Sequence, residues 1–365
     1  MTVTGKGIRK PGDVTPEWMT SVLSATGALG VDASVQSVSC EPVGTGQMAD
    51  TVRVSLTFDP PGSGPPSLIA KFASEDDTSR NTGLVLRAYE IEVCFYDAVA
   101  QLVGTRVPRG YFGWHDPDTG WFVLLLEDAT EAVQGEQLEG CAPEVAAAAL
   151  GEMAALHGPV WESPELGALP WLNRASPGSS EMMAALVASL FPGFVERYQD
   201  RLESSQLALC ERFVAGLEGW LESLSGPRTV THGDFRLDNL LFRPGDPRPW
   251  VVDWQTASWG MAASDLSYFV GGSLTLADRR AHEHDLLLAY HRLLEEQGVV
   301  GYGLARLEDD YRLTCFGGML MAIAASMLVK RTDRGDDMFV TSLQRHAQQA
   351  IDIDAEAILQ RSAHA

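Results

Sequence analysis

Cysteine is scarce in this sequence, and the cysteines that occur are not arranged in pairs. Five are scattered among 365 residues, and no two of them form a C-x-x-C pair. This excludes a disulfide framework and a cysteine-based zinc site as the basis of the fold. We expect the thiols to be reduced and mostly buried.

Long apolar runs are also missing. The longest uncharged one, Cys315 to Val329, has 15 residues, fewer than the roughly 20 that a membrane-spanning helix needs, and it predicts a buried helix. The first residues carry no apolar stretch after their basic side chains, so a secretory signal is not expected. Together these absences predict a cytoplasmic protein without a membrane partner.

Positive charge is in short supply. The chain has 27 Lys and Arg against 49 Asp and Glu, a formal net charge of -22. Such a charge repels nucleic acid and anionic lipid, so no nucleic-acid partner is expected. It would attract a cationic substrate, although solubility alone also explains it. The 45% of hydrophobic residues fills one large or two ordinary domains, and nothing in the composition indicates the oligomeric state.

Two common nucleotide-binding motifs are absent. No G-x-x-x-x-G-K-[ST] sequence occurs, and a strand rather than a helix is predicted after Gly44 and Gly46, which excludes a Rossmann fingerprint. The segment from His282 to His291 is not H-E-x-x-H, and its histidines are interpreted as surface residues of a helix. Any phosphate site must therefore be built in another way.

The first third of the chain has the pattern of strands with helices. Thr15 before Pro16 predicts the start of a short helix. Residues 52–58 alternate between apolar and polar side chains, and a second strand-like segment follows at residues 68–72 after a Pro- and Gly-rich turn. This pattern predicts two antiparallel strands. Apolar residues with helical spacing predict a helix from Leu84 to Val103, and a hairpin is expected over residues 110–126.

Helical segments dominate after Glu127, with short strands expected only between residues 229 and 253. The predicted helices are Pro143–His157, Ser180–Leu190 and Ser205–Leu224. The expected fold class is therefore α+β and bilobal, with a β-rich amino-terminal lobe over residues 1–127 that has one key helix. A mostly helical carboxy-terminal lobe is expected over residues 128–365.

A hairpin is predicted around the sequence RPGDPRP. Asn239 lies immediately before the apolar triplet 240–242, and Asp253 immediately after the triplet 250–252. Paired strands run about 4.8 Å apart, so both side chains are expected at the open end of the hairpin. Mg²⁺ binds oxygen and keeps waters and phosphate oxygens as its other ligands. One amide and one carboxylate therefore predict an ATP and magnesium site.

Asp234 is the candidate catalytic base. It lies in a His-Gly-Asp turn, five residues before Asn239. A carboxylate in that place can accept the proton of an attacking hydroxyl, a role worth about 10² to 10⁴ in rate. His232 is interpreted as a structural loop residue and Asp238 as a solvated one. Trp254, next to Asp253, is likewise interpreted as structural, as is Gln255.

An ion pair is predicted between a strand and a helix. Lys71 lies in the strand sequence LIAKF, and Glu92 lies in the apolar stripe of the predicted helix, whereas Glu90 points almost the opposite way. A carboxylate in an apolar stripe is costly unless it is paired, so Glu92 is the expected partner of Lys71. The alternative is an exposed Glu92. Gly44 and Gly46 would let backbone N–H groups approach phosphates, or form only a turn.

These elements follow one another in the order found in protein-kinase-like folds. From about Glu41 to Phe269 the sequence resembles the aminoglycoside phosphotransferase and choline kinase-like superfamily. It is most similar to the ecdysteroid-kinase-like branch, including bacterial members, in the stretches GTGQMADTVRV, YEIEVCFY, LLLEDA, LHGPVWESPELGALPWL, THGDFRLDNLLF and VVDWQTASWGMAASDLSYF.

The resemblance implies a role for each candidate residue, with ATP and Mg²⁺ as cofactors. Asp234 would be the base, Asn239 and Asp253 the metal ligands, and Lys71 and Glu92 the ion pair. It further implies a phosphate loop of Gly44, Thr45, Gly46, Gln47 and Met48, adenine contacts from the backbone of Glu127, Asp128 and Ala129, and support of the catalytic loop by Asp265 and His232.

The expected function is ATP-dependent phosphorylation of a hydroxyl group on a small molecule such as an antibiotic, a sugar or a steroid-like metabolite. The phosphate loop lacks the Ser and Asn that are common in many aminoglycoside kinases, which weakens an assignment to antibiotic substrates. A protein kinase is disfavoured because Gly233 replaces an arginine and only 11 residues separate Asp253 from Asp265. A nucleotide-binding scaffold without catalysis remains the other alternative.

Overall fold

The computed structural model describes residues 3–43, 49–329 and 331–362, with side chains described up to Leu359. The chain forms two compact units. The first consists of Met1–Leu102, Val107–Glu131 and Val252–Thr256, and the second of Val103–Arg106, Ala132–Val251 and Ala257–Ala365. The predicted division after residue 127 stays a prediction.

The first unit is built on an antiparallel sheet with the strand order β1-β2-β3-β5-β4. In chain order, its described helices and strands are α1 (Pro16–Ala25), β1 (Ser34–Pro42), β2 (Ala49–Asp59), β3 (Ser67–Ala73), α2 (Asp77–Val85), α3 (Ala88–Ala98), β4 (Gly110–His115) and β5 (Phe122–Glu127). Lys71 of β3 pairs with Thr51 of β2 on one side and with Leu124 of β5 on the other. It therefore lies on a central strand.

Alternation along β2 produces the core of this unit. Val52, Val54, Leu56 and Phe58 are buried and pack in one cluster with residues of α1 and β3. The helix begins as predicted, because the Thr15 hydroxyl accepts a hydrogen bond from the Trp18 N–H at 3.2 Å, a cap worth about 1 kcal/mol. The predictions of the leading helix and of the two strands are confirmed.

The prediction of one helix from Leu84 to Val103 is wrong. The segment contains the end of α2 and all of α3, which ends at Ala98. Arg87 adopts a left-handed φ of 57° between them, a conformation through which an α-helix does not continue. After this break the Tyr89 ring lies where a Cβ on Gly83 would be.

Helices make up most of the second unit. In chain order, its described helices and strands are β6 (Val133–Gln134), α4 (Pro143–His157), α5 (Pro164–Gly167), α6 (Ser179–Tyr198), α7 (Ser204–Ala215), α8 (Leu217–Ser223), β7 (Thr229–Thr231), β8 (Leu240–Phe242), β9 (Trp250–Val251), β10 (Ser258–Gly260), α9 (Ala262–Ser273), α10 (Leu276–Glu296), α11 (Leu304–Thr314), α12 (Gly317–Leu328), α13 (Asp333–Asp352) and α14 (Glu356–Ser362). The helix α4 has its predicted bounds, α6 extends beyond its prediction, and Gly216 interrupts the predicted helix 205–224. The β-rich first part and mostly helical second part confirm the predicted fold class.

Two small antiparallel sheets support the loops of this unit. β10 pairs with β7, and β8 lies between β6 and β9. The predicted hairpin is confirmed by its register, in which Leu240 pairs with Val251. Asn239 ends a short 3-10 turn directly before β8, and Asp253 follows β9 by two residues. The common placement of these two side chains stays a prediction.

The apolar run at Cys315 to Val329 forms α12, as predicted, and helps to build the main core of the second unit. Met319, Ala322 and Ile323 are buried there against α6, α7 and α13. By length and composition, Leu304–Leu328 is the one stretch of the described residues that is apolar enough to cross a membrane. Half of its apolar window is buried inside the protein, and core helices often meet the same criteria.

Candidate active site

Lys71 and Glu92 meet in the first unit. The Lys71 Nζ donates to both Glu92 carboxylate oxygens, at 2.6 and 2.8 Å, and Glu92 is only 2% exposed. Burial opposes the charge on Lys71, but the carboxylates of Asp253 and Glu92 outweigh it and raise the pKa of the amine. Glu90 pairs instead with Arg87 at 2.7 Å. The structure thus pairs Lys71 with the glutamate that the helical projection selected.

Asp253 completes this charged group. Its Oδ1 accepts from Lys71 Nζ at 2.8 Å, and its Oδ2 accepts from Gln255 Nε2 at 3.1 Å. The backbone of Asp253 has a left-handed φ of 69°, which is uncommon for a residue with a side chain and often marks a functional position. Gln255, interpreted from the sequence as structural, therefore contacts a candidate metal ligand.

The catalytic loop of the second unit fixes the Asp234 carboxylate. Gly233 turns the chain after β7 with a φ of 80°, a value that glycine adopts without strain. Asp234 Oδ2 accepts from Arg236 Nε and from Asn239 Nδ2, both at 3.0 Å. Asn239 Nδ2 also donates to the Asp234 carbonyl at 2.8 Å. The predicted base and one predicted metal ligand are thus in direct contact.

Asp265 holds the backbone of this loop. Its carboxylate accepts from the N–H groups of His232 at 2.6 Å and Gly233 at 2.9 Å, and from His157 Nε2 at 3.2 Å. Burial alone would raise the pKa of Asp265, but these donors outweigh it and hold the pKa below its ordinary value. The Tyr290 hydroxyl lies 2.6 Å from His157 Nδ1. These contacts hold the loop backbone at His232 and Gly233, and the supporting roles of Asp265 and His232 stay a prediction.

Two residues of the site differ from what the sequence indicated. Asp238 is not solvated: it is buried and accepts hydrogen bonds from the Gln137 N–H at 3.1 Å and from Arg236 Nη1 at 2.8 Å. The prediction was wrong because Gln137, 101 positions before Asp238, becomes its neighbour only in the folded chain. Tyr268 was not singled out, yet its hydroxyl donates to Asp234 Oδ1 at 2.8 Å. Its position one helical turn after Asp265 was the available signal.

The segment predicted to contact adenine is held firmly in the first unit. The Glu127 N–H donates to the Arg109 carbonyl at 2.8 Å, and the buried Asp128 carboxylate accepts from Arg53 Nε at 2.7 Å and from Ser67 Oγ at 2.6 Å. The adenine contact of residues 127–129, Ala129 included, stays a prediction. The predicted phosphate loop, Gly44 to Met48, lies outside the described residues.

A family comparison decides the class of this protein. Residues 40–302 match the model described as the phosphotransferase enzyme family. The chain belongs to the phosphotransferase enzyme family. This confirms the prediction of a small-molecule kinase and of the aminoglycoside phosphotransferase and choline kinase-like superfamily. The narrower resemblance to the ecdysteroid-kinase-like branch stays a prediction.

Solved structures share the fold of this phosphotransferase at low sequence identity. A choline kinase from Cryptosporidium parvum Iowa II has a TM-score of 0.56 and 10% identity, covering 89% of this chain and 91% of its own. A microcompartment-associated aminopropanol kinase has a TM-score of 0.54 and 17% identity, and the match covers 94% of this chain and 98% of that kinase. A gentamicin complex of APH(2″)-IIa has a TM-score of 0.51 and 13% identity, and the match covers 86% of this chain and 92% of that chain. At these identities the likeness concerns the fold alone.

One curated relative matches part of the phosphotransferase chain. The mouse protein named acyl-CoA dehydrogenase family member 10 is 30% identical over 123 residues. The match covers 31% of this chain and 10% of that protein. The phosphotransferase thus spans only a small part of this relative.

Proposed function

We propose that this phosphotransferase transfers the γ-phosphoryl group of ATP to a hydroxyl group of a small molecule, with Asp234 as the base. The observation that carries the proposal is the Asp234 carboxylate itself. Three side chains donate to it, and Asp265 fixes the backbone immediately before it. A carboxylate held in this way can accept the proton of an acceptor hydroxyl.

Lys71 and Asp253 supply the charges that a nucleotide with its metal requires. Lys71 is a cation on a central strand whose side chain is 12% exposed, which suits contact with phosphate oxygens, and Glu92 holds it by an ion pair. When bound, ATP with Mg²⁺ supplies the phosphoryl group, and the metal neutralises charge that develops on the phosphates. Mg²⁺ prefers oxygen ligands, and a carboxylate at Asp253 fits that preference.

Asn239 fits the second metal-ligand role. Its amide nitrogen is committed to two oxygen atoms of Asp234, so a metal would meet the amide oxygen. Among the described residues, no group of three or more His, Cys, Asp and Glu side chains is arranged to hold a metal ion. The proposed site therefore depends on one amide, one carboxylate and the phosphates. A cytoplasmic location, where ATP is abundant, belongs to the same proposal.

A small acceptor is favoured over a protein acceptor. The 11 residues between Asp253 and Asp265 include β10 and the beginning of α9. This leaves no long segment on which a peptide substrate could lie. The identity of the acceptor is open to alcohols of several kinds, including sugars and amino alcohols.

The test is a turnover assay with a broad set of hydroxyl compounds, ATP and Mg²⁺, in which ADP release and the phosphorylated product are both measured. Asp234→Asn should lower kcat by about 10² to 10⁴ and leave the KM for ATP nearly unchanged. Asp285→Asn, a change at an exposed position of α10, is the control and should behave as the wild type. Turnover that survives Asp234→Asn would contradict the assignment of the base. Stabilisation by ATP and Mg²⁺ without any turnover would favour a nucleotide-binding scaffold.

A further inference from the structure

Tyr268 shares a helical turn with the residue that holds the catalytic loop. Asp265 and Tyr268 are three residues apart on α9, so their side chains lie on the same side of the helix. Asp265 binds the backbone of His232 and Gly233, and the Tyr268 hydroxyl binds the next side chain, Asp234. One turn of α9 therefore determines both the path of the loop and the direction of the proposed base.

The two carboxylate oxygens of Asp234 accept different numbers of hydrogen bonds. Each carboxylate oxygen has two lone pairs. Oδ2 accepts from both Arg236 and Asn239, whereas Oδ1 accepts from Tyr268 as its single donor among the described residues. Oδ1 is therefore the oxygen with a lone pair suited to an incoming hydroxyl.

The phenol of Tyr268 acts as a hydrogen-bond donor and not as a base. Burial raises its pKa well above the ordinary value, and the negative charge of Asp234 adds to the shift. The hydroxyl keeps its proton throughout the pH range in which an enzyme works. A neutral donor directs the carboxylate without removing its charge.

The ring of Tyr268 is itself held in place. It stacks on His346 of α13 with ring centroids 5.3 Å apart and planes 22° apart. His346 fits closely against two other helices, because a Cβ added to Gly272 of α9 or to Gly318 of α12 would overlap its ring. The hydroxyl is thus pre-oriented, and little side-chain entropy remains to be lost at the moment of reaction.

We propose that Tyr268 is a positioning residue of the phosphotransfer site, whose hydroxyl turns Asp234 Oδ1 toward the acceptor hydroxyl. The inference rests on the proposed function. Phosphoryl transfer depends more on placement than on the strength of the base, and a misplacement of about 1 Å can cost about 10² in rate. Losing the hydroxyl should therefore affect kcat and not nucleotide binding.

The test is Tyr268→Phe, which removes one oxygen and keeps the ring. We expect kcat to fall about 10- to 100-fold, with the KM for ATP unchanged within about twofold. The same change in the Asp234→Asn protein should cause no further loss, because Tyr268 acts through that carboxylate. Tyr302→Phe is the matched control. It also removes a phenol that donates to a carboxylate, that of Asp310 at 2.9 Å, and should leave kcat unchanged.

Each other result has a defined meaning. A kcat of Tyr268→Phe within about twofold of the wild type overturns the positioning role while Asp234→Asn still tests the proposed function. An equal loss in the wild-type and Asp234→Asn backgrounds shows a merely structural role and also overturns it. If the wild type phosphorylates no acceptor, the proposed function fails and this inference fails with it.

A second measurement does not depend on the folding of Tyr268→Phe. In protein labelled with ¹³C at tyrosine Cζ, Asp234→Asn should shift one tyrosine resonance, because the phenol loses a charged acceptor. The exposed control Asp285→Asn should shift none. Tyrosine resonances that all stay in place in the Asp234→Asn protein overturn the contact and the inference.

Discussion

Phe95 of α3 and Trp254 lie face to face, with ring centroids 3.7 Å apart and ring planes 5° apart. Both side chains are fully buried. Phe95 follows Glu92 by less than one helical turn, and Trp254 directly follows Asp253. The stacked rings therefore connect the two segments whose carboxylates meet at Lys71.

Loosening the stack of Phe95 and Trp254 should lower the catalytic efficiency of the enzyme with ATP. Phe95→Leu replaces a flat ring with a smaller branched side chain, and a buried aromatic pair contributes about 0.5 to 1.5 kcal/mol beyond its area. We expect kcat/KM for ATP to fall roughly tenfold, or about 1.4 kcal/mol, together with a lower melting temperature. Phe213→Leu, which removes a buried ring stacked on Phe316 in the second unit, should lower stability without this kinetic effect. An unchanged kcat/KM for Phe95→Leu would contradict the connection.

The two glutamates of α3 should differ sharply when they are changed. Glu92→Gln removes one of the two negative charges that hold Lys71, so Lys71 is drawn toward Asp253 alone. We expect kcat/KM for ATP to fall by about tenfold or more, because a charged hydrogen bond is worth about 1.5 to 3 kcal/mol. Glu90→Gln is the control and should change it less than twofold. Similar values for the two variants would show that Glu92 does not position Lys71 for a nucleotide.

Two neighbouring glycines of α12 offer a test of packing around His346. A Cβ at Gly318 would overlap the His346 ring, whereas a Cβ at Gly317 would have no atom within 4 Å. Gly318→Ala should therefore destabilise the protein by about 1 to 3 kcal/mol. Gly317→Ala should leave stability unchanged or raise it by up to about 1 kcal/mol. Urea denaturation of both variants checks this, and equal midpoints would mean that the His346 ring can move aside.

His346 should make stability depend on pH below neutrality. Burial lowers its pKa to about 4, while an unfolded histidine titrates near 6.5. Between these values the unfolded chain binds more protons, so the free energy of unfolding falls as the pH falls. The stabilisation is fully present above about pH 6.5, and about 2 kcal/mol of it is lost at pH 5.

The histidine contribution is isolated by comparing variants at pH 7 and pH 5. His346→Gln should show a decrease in unfolding free energy that is smaller than the wild-type decrease by about 2 kcal/mol. His284→Gln, at a side chain that is 71% exposed, should show the wild-type decrease. If His346→Gln keeps the wild-type decrease, another group is responsible for the pH dependence.

Local periodicity predicted which residues belong to the site better than it predicted where the helices and strands that carry them begin and end. The choice of Glu92 over Glu90 held although the predicted helix was wrong at both ends, because the angle between two nearby residues does not depend on where the helix begins. The hairpin before Asp253 was predictable because its turn and strands are contiguous in the chain. β1 was not predicted, since it is an edge strand with few buried residues and a weak alternation.

Contacts between distant residues explain what the sequence did not reveal. Tyr268 reaches Asp234 across 34 positions, and Gln137 reaches Asp238 across 101. Each of these contacts depends on how helices and loops pack in the second unit, and the spacing of Tyr268 from Asp265 indicates only which side of the helix Tyr268 occupies. Asp238 therefore resembled a solvated loop residue, and Tyr268 an ordinary helical aromatic.

The first unit consists of segments that are synthesised at very different times. Val252–Thr256 belongs to this unit, although the rest of it lies within the first 131 residues. On the ribosome, Lys71 and Phe95 emerge long before Asp253 and Trp254, and chain elongation at about 5 to 20 residues per second makes the delay on the order of ten seconds. During that interval Lys71 has Glu92 but not Asp253, and Phe95 has no ring to stack on. The first unit therefore becomes complete only after a short segment that is synthesised much later than the rest of it.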